Sequence, residues 1–425
     1  MANDSLRMTI TQLQSKKVIL LLGYGIENQS VERFLKHHAP QAEIRIADKT
    51  RDANYLDAQN APDIDLVVRT PGLPMQMVDA PSTTATNIFF ANCTNMVIGV
   101  TGSKGKSTTS TLIAAILKAC RKTVHLVGNI GNPALDVLLG TVGAEDIFVY
   151  ELSSHQLEDC THSPHIAVYT NFFPEHLTHH GSLEAYAAAK ANITLHQTDK
   201  DFFVYNPRVN QLNSLAGKTV AKPMPFVRDI PFETTKLPLR GEHNLENIRA
   251  ALTVAEILSL PADVVRQAIE TFQPLPHRLA TVGTFHSITF VDDAIATAPE
   301  PTIFGIQTLG DVDTIFLGGE DRGYDFSELA DVIFRKHIKN VVFFPETGSR
   351  IEEALKKHCE GAAVCQPLPR ILHTQSMEEA VRFAYEHTAP GMTCLLSTAS
   401  PSYSLWKNFE AKGDDFVRWV KELGK

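Results

Sequence analysis

The chain has 425 residues, of which 44% are hydrophobic and 20% are charged, and its formal net charge is −9. This composition is typical of a globular protein and excludes a fibre or a disordered tail, and the length predicts two or three domains. The basic residues are scattered along the chain, which argues against a nucleic-acid-binding surface. The sequence therefore predicts a folded protein in which any contact with a polyanion is confined to a small site and does not extend over a basic surface.

The expected compartment follows from the cysteines and the hydrophobic runs. The six cysteines include no CxxC pair, and a chain of this length does not need disulfides to fold, which indicates a reducing cytoplasm. The first residues lack a long apolar core, and no later stretch has about eighteen uninterrupted apolar residues. We predict a cytoplasmic protein that is neither exported nor membrane-bound.

Short apolar runs alternate with amphipathic stretches along the chain, which predicts an α/β fold with parallel sheets and with ligands at the carboxyl ends of the strands. Breaks are expected around residues 81–95 and 272–278, giving domains at 1–92, 93–275 and 276–425. The predicted strands are 18–23, 43–48, 65–70, 97–100, 147–153, 166–171, 313–319, 339–344 and 393–398.

The first glycine turn, GYGIENQS at 23–30, follows a predicted strand and resembles the start of a dinucleotide-binding fingerprint. Asp48 lies where an acidic ribose ligand belongs, which supports an NAD-dependent oxidoreductase as a rival class. The third glycine position is occupied by Asn28, however, so this fingerprint is incomplete.

The second glycine turn is GVTGSKGKSTTSTLI at 99–113, between an apolar run and a helical pattern. Backbone N–H groups at such a turn bind phosphate, a lysine adds charge, and a hydroxyl can bind magnesium. Gly102, Gly105, Lys106 and either Ser107 or Thr108 suit these roles. The spacing departs from the usual P-loop because Val100 occupies the position of the first glycine.

Polar residues follow further predicted strands. Glu151 comes directly after one, where a carboxylate can bind magnesium or simply start a helix. His176, His179 and His180 follow the next strand; three histidines without a cysteine partner do not predict a zinc site. In 237–255, Asn244 and Asn247 are three residues apart, so they share a helix face and could contact an adenine or cap the helix.

About ten motifs between residues 18 and 423 resemble, in order, those of the Mur ligase family, which attaches amino acids to peptidoglycan precursors with ATP. The twelve stretches that carry the resemblance are GYGIENQS, TPG, TGSKGKST, GNIGNPAL, ELSSHQLE, NFFPEHLTHHGS, EAYAAAKANI, LRGEHNLEN, LPHR, VDDAIATAPE, LGGEDRGYDF and the carboxyl-terminal LLSTASPSYSLWKNFEAKG. The resemblance implies three domains: a Rossmann-like amino-terminal domain, a central P-loop-type ATPase domain and a Rossmann-like carboxyl-terminal domain.

The resemblance also implies the ligands and the residues that hold them. The implied cofactors are ATP and two magnesium ions. The implied substrates are UDP-N-acetylmuramoyl-L-alanine and glutamate, and the motifs are most similar to those of the branch that adds D-glutamate. A monomer is expected. The implied ATP contacts are Gly102, Ser103, Lys104, Gly105, Lys106, Ser107, Thr108, Asn244, Asn247, Arg278 and Asp293. The implied UDP-substrate contacts are Gly25, Ile26, Glu27, Asp48, Lys49, Thr70, Pro71, Gly72 and Asn129. The implied glutamate contacts are Thr297, Arg322, Ser402 and Phe409.

The implied catalytic residues are Lys106, Glu151, His176 and Lys190, and the implied metal ligands are Ser107, Glu151, His176 and Lys190 once it is carbamylated. An ordinary lysine is only about one part in a thousand neutral near pH 7.4, so a carbamylated lysine needs a lowered pKa from burial or neighbouring cations.

This chain departs from the family pattern at several positions. Glu175 and Thr178 replace two aspartates around His176, Ile295 replaces a lysine, and Arg322 replaces another lysine. The stretch around Ile295 resembles a branch in which some members take L-glutamate. An L-glutamate ligase, another Mur-type or folylpolyglutamate-type ligase, and a catalytically silent paralogue therefore stay as alternatives.

Overall fold

A computed structural model describes residues 8–49, 51–234, 237, 239, 241–273, 275–361, 367–401 and 405–425, with the backbone alone at Leu177, Thr178, Glu300 and Gly361. The chain forms two compact units, Met1–Gln273 and Pro274–Lys425. Each unit is built from parallel strands with helices between them, which confirms the α/β prediction.

The first unit begins with a four-stranded parallel sheet in the order β2-β1-β3-β4. Its strands are β1 (Val18–Leu22), β2 (Glu43–Ala47), β3 (Leu66–Arg69) and β4 (Ser82–Thr83), and its helices are α1 (Ile10–Gln14), α2 (Ile26–His38) and α3 (Ala85–Asn92). All five residues of β1 are buried, as expected for a central parallel strand covered on both faces.

The second sheet of this unit has six parallel strands in the order β10-β9-β8-β5-β7-β6. The strands are β5 (Met96–Thr101), β6 (Val124–Gly128), β7 (Ile147–Glu151), β8 (Ile166–Tyr169), β9 (Phe202–Tyr205) and β10 (Lys222–Pro225). The helices are α4 (Lys106–Ala119), α5 (Ala134–Leu138), α6 (Ser154–Leu157), α7 (Leu177–His180), α8 (Leu183–Leu195), α9 (Asn210–Ala216), α10 (Glu242–Ile257) and α11 (Ala262–Glu270).

Residues 81–95, where the composition predicts a break, hold β4 and α3 and lead from the first sheet to the second, and the domain boundary at residue 92 stays a prediction. The Thr84 hydroxyl accepts from the Asn87 backbone N–H and starts the helix. Phe89 is buried, with ring centroids 5.2 Å from those of both Phe148 and Tyr150. One apolar core therefore runs from the first sheet into the second.

The second unit has a six-stranded sheet in the order β11-β12-β16-β13-β14-β15, in which only the β11–β12 pair is antiparallel. The strands are β11 (Ala280–Phe285), β12 (Ile288–Asp292), β13 (Val312–Leu317), β14 (Asn340–Phe343), β15 (Arg370–His373) and β16 (Thr393–Leu396). The helices are α12 (Pro299–Leu309), α13 (Ser327–Arg335), α14 (Gly348–Gly361), α15 (Met377–His387) and α16 (Phe409–Leu423). All nine runs predicted as strands fall on strands.

Two further expectations can be compared with the structure. Within the described ranges, no helix has the length and apolar character needed to cross a bilayer. Cys93, Cys120, Cys160 and Cys394 are free thiols, whereas Cys359 is disulfide-bonded, which the cysteine pattern did not predict.

Candidate active site

The second glycine turn joins β5 to α4, as the sequence predicts, and two of its glycines are required by close contacts. Gly102 has φ of 151°, and a Cβ there would lie 1.9 Å from Thr170 Oγ1. Gly105 has φ of 79° and precedes the first residue of α4; its Cβ would lie 2.4 Å from Asn247 Oδ1. Both positions therefore exclude a side chain, and the positive φ values favour glycine in any case.

The end of β8 holds this turn in place. Asn171 Oδ1 accepts from the Lys104 backbone N–H at 2.8 Å, and Asn171 Nδ2 donates to the Lys104 carbonyl at 3.0 Å. The Thr170 hydroxyl donates to the same carbonyl at 2.6 Å. Ser103 is anchored separately, by Phe173 and by the Tyr186 hydroxyl at 2.9 Å. The turn is thus preorganised by side chains that sequence reasoning did not single out.

Two lysines meet at one carbonyl of the turn. Lys106 Nζ donates to the Gly102 carbonyl at 2.9 Å, and Lys190 Nζ, from α8, donates to the same oxygen at 2.8 Å. Lys190 is 1% exposed, and burial, together with the charge of Lys106, holds the pKa of its amine well below its ordinary value. This is the environment that carbamylation of a lysine requires.

Glu151 ends β7 beside the turn, as predicted, and is fully buried. Asn129 Nδ2 donates to Glu151 Oε1 at 2.9 Å, while Glu151 Oε2 has no hydrogen-bond partner among the described residues. A buried carboxylate oxygen left without a donor is costly unless a cation binds it. Glu151 therefore fits a magnesium ligand, and Asn129, expected to contact the substrate, orients this carboxylate here.

The segment after β8 places His176 near these lysines. Loss of hydration around the imidazole lowers the pKa of His176 to about 4, with the charge of Glu175 acting against this shift and those of Lys106 and Lys190 adding to it. The residue is exposed, and its neutral ring can act as a metal ligand. Glu175, which replaces an aspartate of the family pattern, forms an ion pair of 2.5 Å with Lys104. Thr178, the other departure, has a side chain outside the described residues.

The structure also brings together a group of histidines that the sequence analysis did not predict as a site. His155 on α6 lies with its ring centroid 4.0 Å from that of His179 and 5.5 Å from that of His180, both on α7. His176 lies on the other side of His155, at 4.8 Å between centroids. Burial, and then the neighbouring histidines, lower the pKa of His155 to about 3.

Asn244 and Asn247 lie on one face of α10, as their spacing predicts, and Asn247 Nδ2 donates to Asn244 Oδ1 at 3.1 Å. Asn247 is 3% exposed and its Oδ1 accepts from the Thr109 hydroxyl at 3.1 Å. In this structure Asn247 braces α4 behind the turn, and its predicted contact with ATP stays a prediction.

The first glycine turn joins β1 to α2. Asn28, at the third glycine position, is fully buried and its amide donates to the carbonyls of Gly23 at 2.7 Å and Val68 at 3.0 Å. This amide ties the ends of β1 and β3 together, which explains why glycine is absent there.

The residues expected to contact the UDP-substrate surround this turn. Gly25 and Ile26 are exposed at the start of α2, and Asp48 Oδ2 accepts from the Tyr24 backbone N–H at 2.6 Å. Lys49 and Gly72 are exposed, and Thr70 and Pro71 are half-buried. Glu27 Oε1 accepts from Gln156, and burial raises the pKa of the Glu27 carboxyl to about 7.

The predicted residues of the second unit lie at the carboxyl end of its sheet. Asp293 follows β12 and is 4% exposed; Ser397 Oγ donates to its Oδ2 at 2.8 Å. Burial raises the pKa of Asp293 to about 7, against the nearby positive charge of Arg278. Thr297 is half-buried, and Arg322 is half-exposed with its Nη2 3.2 Å from Glu320 Oε2.

Phe409 begins α16, with its ring centroid 6.3 Å from that of His277, and Ser402 lies outside the described residues. Sequence reasoning missed Lys412 on the same helix. Lys412 is 1% exposed and its Nζ donates to Thr398 Oγ1; burial lowers the pKa of this amine to about 7 despite the charges of Asp292 and Asp293. In the sequence, the only indication of a role for Lys412 is its position in the NFEAKG stretch of the carboxyl-terminal motif.

The comparisons with known proteins agree with these motifs. Residues 100–228 match the model of the Mur ligase middle domain. The chain is 35% identical to the UDP-N-acetylmuramoyl-L-alanine–L-glutamate ligase of Salinispora tropica, covering 98% of this chain and 99% of that protein. It is 32% identical to the UDP-N-acetylmuramoylalanine–D-glutamate ligase of Streptococcus equi subsp. zooepidemicus, covering 96% and 97%.

Among solved structures, the fold is similar to that of a MurF ligase from Thermotoga maritima in complex with ADP, with a TM-score of 0.59 at 15% identity over all of both chains. A UDP-N-acetylmuramate-alanine ligase from the same organism gives a TM-score of 0.58 at 18% identity, over 96% of this chain and 99% of that one. The fold and the relatives together define the class, and this chain belongs to the Mur ligase family.

Proposed function

We propose that this protein is the ATP-dependent ligase that joins glutamate, most directly D-glutamate, to UDP-N-acetylmuramoyl-L-alanine in the synthesis of the peptidoglycan precursor. The observation that carries the proposal is the meeting of Lys106 and Lys190 on the Gly102 carbonyl, beside a Glu151 oxygen that has no donor among the described residues. The relatives named as glutamate ligases over almost the whole chain support the choice of substrates.

In the first step, an oxygen of the alanine carboxylate attacks the γ-phosphorus of ATP, the bond to the β-phosphate oxygen breaks, and ADP leaves. The turn supplies its backbone N–H groups and Lys106 to the phosphates, and Arg278 adds positive charge to the transferring phosphoryl group. The product is an acyl phosphate of the precursor. Asn244, Asn247 and Asp293 are proposed to contact the nucleotide.

In the second step, the glutamate amine attacks the acyl carbon. The tetrahedral intermediate expels inorganic phosphate, and the nitrogen loses a proton as the amide forms. The protein contributes mainly by holding the amine next to the acyl phosphate and keeping water away, because hydrolysis would otherwise consume the intermediate. Thr297, Arg322, Ser402 and Phe409 are the proposed glutamate contacts.

The donor set fits two magnesium ions. Ser107 and Glu151 would hold one ion, and His176 with a carbamylated Lys190 would hold the other. Bound there, magnesium neutralises the negative charge of the phosphates. Carbamylation turns the buried Lys190 from a cation into an anion, and the lowered pKa of its amine supports this modification.

Each of the three predicted domains is proposed to bind one of the three substrates. Domain 1–92 receives the UDP-substrate through the turn at Gly25, domain 93–275 binds ATP, and domain 276–425 binds the amino acid. The enzyme is proposed to act as a cytoplasmic monomer on small-molecule substrates.

A specific observation favours L-glutamate as the second candidate. The Salinispora tropica relative is named for L-glutamate, and this chain has Ile295 and Arg322 at positions where the D-glutamate pattern has lysines. Arg322 is half-exposed, with its Nη2 3.2 Å from Glu320 Oε2. A bidentate arginine can replace a lysine at a carboxylate, but with a different geometry.

The test is phosphate release from ATP with magnesium and UDP-N-acetylmuramoyl-L-alanine, in the presence of D-glutamate, L-glutamate or neither, with the product identified by mass. Release that depends on D-glutamate supports the proposal, and dependence on L-glutamate transfers the enzyme to the second candidate. No release with either amino acid overturns the proposed function.

The matched variants lie on one helix. Lys106→Ala should abolish product formation with the circular dichroism spectrum unchanged, because the turn loses its charge at the phosphates. Lys118→Ala, an exposed lysine in the last turn of α4, should retain wild-type activity. Wild-type activity of Lys106→Ala would refute the assignment of this turn.

A further inference from the structure

We propose that His155, His179 and His180 form a binding site for a transition-metal cation of the Zn²⁺ type, separate from the proposed magnesium sites. One potential ligand atom from each of these histidines lies within 4.8 Å of the others. This grouping is assembled from two helices: His155 is on α6 and the other two are on α7. The inference does not depend on the proposed ligase activity.

The ring spacing is close to that of a metal centre. Three imidazoles bound to one tetrahedral zinc ion, with Zn–N distances of about 2.0–2.1 Å, have ring centroids about 5 Å apart. Here the three centroid distances are 4.0, 4.7 and 5.5 Å. The potential ligand nitrogens, which lie within 4.8 Å of one another, would have to approach to about 3.3 Å on a common tetrahedral cation.

The chemistry of the donors selects the metal. Imidazole nitrogens suit Zn²⁺, Co²⁺, Ni²⁺ and Cu²⁺, whereas Mg²⁺ prefers oxygen ligands and retains its waters. The proposed magnesium ligands are Glu151 and His176 with Lys190, at the turn. The three histidines offer a nitrogen-rich site instead, with a fourth position left for water or another ligand.

Surrounding residues orient the rings, as expected around a metal site. Glu158 Oε2 lies 3.5 Å from His179 Nε2, and Glu158 Oε1 lies 3.7 Å from His180 Nδ1. Ser154 Oγ lies 3.0 Å from His180 Nε2, so both ring nitrogens of His180 have a polar neighbour, and the nitrogen that binds the cation would exchange that neighbour for the metal. A carboxylate next to ligating histidines fixes their orientation and strengthens their binding.

This carboxylate is itself fixed from the first sheet. Arg69, fully buried at the end of β3, lies 3.4 Å from Glu158 Oε2 and 2.9 Å from Asp159 Oδ2. The Met75 backbone N–H donates to Glu158 Oε2 at 3.3 Å, and Gln76 Nε2 donates to the His179 carbonyl at 3.2 Å. The histidines therefore lie on a supported scaffold that links both sheets of the first unit.

A cation at this site would restrict the segment that carries His176. His176 immediately precedes α7, and its ring centroid lies 4.8 Å from that of His155. Cross-linking α6 to α7 would therefore fix the position of a proposed magnesium ligand, so occupancy of the three-histidine site would modulate the neighbouring site.

The experiment is a titration of the full-length, metal-free protein, without a histidine tag, with Co²⁺, which reports nitrogen ligation by visible absorption. We expect one equivalent to bind, to be displaced by Zn²⁺, and to resist a millimolar excess of Mg²⁺. His155→Phe and His179→Phe should each weaken binding by more than the about 10–100-fold loss typical of an orienting residue. Circular dichroism establishes that the variants fold, and His155→Gln replaces His155→Phe if the latter does not.

Two controls separate this site from others. His286→Gln, which removes an exposed histidine of the second unit, should leave the titration unchanged, and Glu151→Gln should do the same, because it removes a ligand only from the magnesium site. The proposal is overturned if no stoichiometric binding occurs, if folded histidine variants bind Co²⁺ as wild type does, or if Mg²⁺ or Glu151→Gln abolishes binding.

Discussion

At the scale of single residues, Lys190 shows how burial can prepare a side chain for chemistry. Its ammonium form is disfavoured by burial and by the nearby charge of Lys106, so a larger fraction of the amine is neutral than in an exposed lysine. Only the neutral amine attacks carbon dioxide to form a carbamate. Lys190 is therefore the lysine that we expect to be carbamylated.

The prediction is tested by carbon NMR of the protein equilibrated with isotopically labelled bicarbonate and magnesium. The wild type should show a carbamate resonance that is absent from Lys190→Gln, and the loss should be accompanied by a large decrease in ligase activity. Lys222→Gln, at an exposed lysine of β10, is the control and should keep the resonance. A wild-type spectrum without the signal, or a signal that survives in Lys190→Gln, would contradict the assignment.

Motifs in the sequence predict candidate site residues, whereas residues that are grouped only by tertiary contacts have no such signal. The position of Glu151 after a strand left a metal ligand and a helix start both open, and the resemblance of ELSSHQLE to the family motif favoured the ligand. That one of its oxygens has no donor among the described residues is visible only in the structure. Glu175 looked like a weakening departure, yet it pairs with Lys104. His155 carries no signal as an isolated residue, since its grouping with His179 and His180 depends on how α6 packs near α7.

At the scale of elements, strands were predictable because buried parallel strands are continuous apolar runs. The strand and helix within residues 81–95 were missed because this segment is polar in sequence. Residues 81–95 are rich in Thr and Asn, which resembles a linker, but Thr84 caps α3 and Asn87 bonds to Asp159 and Thr161, so these polar groups are satisfied when buried. Tertiary hydrogen bonds of this kind cannot be deduced from composition.

The turn before α4 allows a prediction at this scale. Gly105→Ala should lower the free energy of unfolding by about 1–3 kcal/mol. The φ of 79° is unfavourable for alanine, and the new Cβ would clash with Asn247 Oδ1. Asn247 is buried and bonded to Thr109, so it has little freedom to move away. Movement of the turn should also weaken ATP binding more than tenfold, measured by titration calorimetry.

Gly140→Ala is the matched control for that variant. The nearest atom to its new Cβ would be the Val137 carbonyl at 3.5 Å, which is an ordinary contact. Its stability and nucleotide affinity should equal those of the wild type. If Gly105→Ala binds ATP with the same affinity as Gly140→Ala and the wild type, the tight packing of the turn against α10 has no role in nucleotide binding.

At the scale of the whole molecule, the two compact units each have their own apolar core. In the first unit, one apolar core includes side chains from both sheets, such as Phe89 and Phe148. Residues on the two sides of residue 92 therefore pack together within one compact unit. The second unit has separate clusters around its six-stranded sheet. Calorimetry of the full chain can therefore resolve two unfolding transitions, each reporting on one unit.

The pH dependence of the second transition is the final prediction, and it follows from Asp293. Its folded-state pKa is raised from 3.8 to about 7 by burial. Between about pH 4 and pH 7 the unfolded chain has released this proton while the folded unit retains it, so the free energy of unfolding falls as pH rises and levels off above about pH 7. The full effect is on the order of 1–4 kcal/mol.

Asp293→Asn removes the titrating group; its Oδ1 can still accept from the Leu279 backbone N–H, and its Nδ2, in place of Oδ2, can donate to the Ser397 hydroxyl. We expect the second transition of this variant to lose most of the decline that the wild type shows between about pH 4 and pH 7. Asp331→Asn, at a half-exposed carboxylate on α13, should retain that decline. Equal pH profiles for the wild type and Asp293→Asn would mean that Asp293 is ionised in the folded unit, and its buried carboxylate would then be stabilised by a neighbouring cation, with Arg278 and Lys412 as the nearby positive charges.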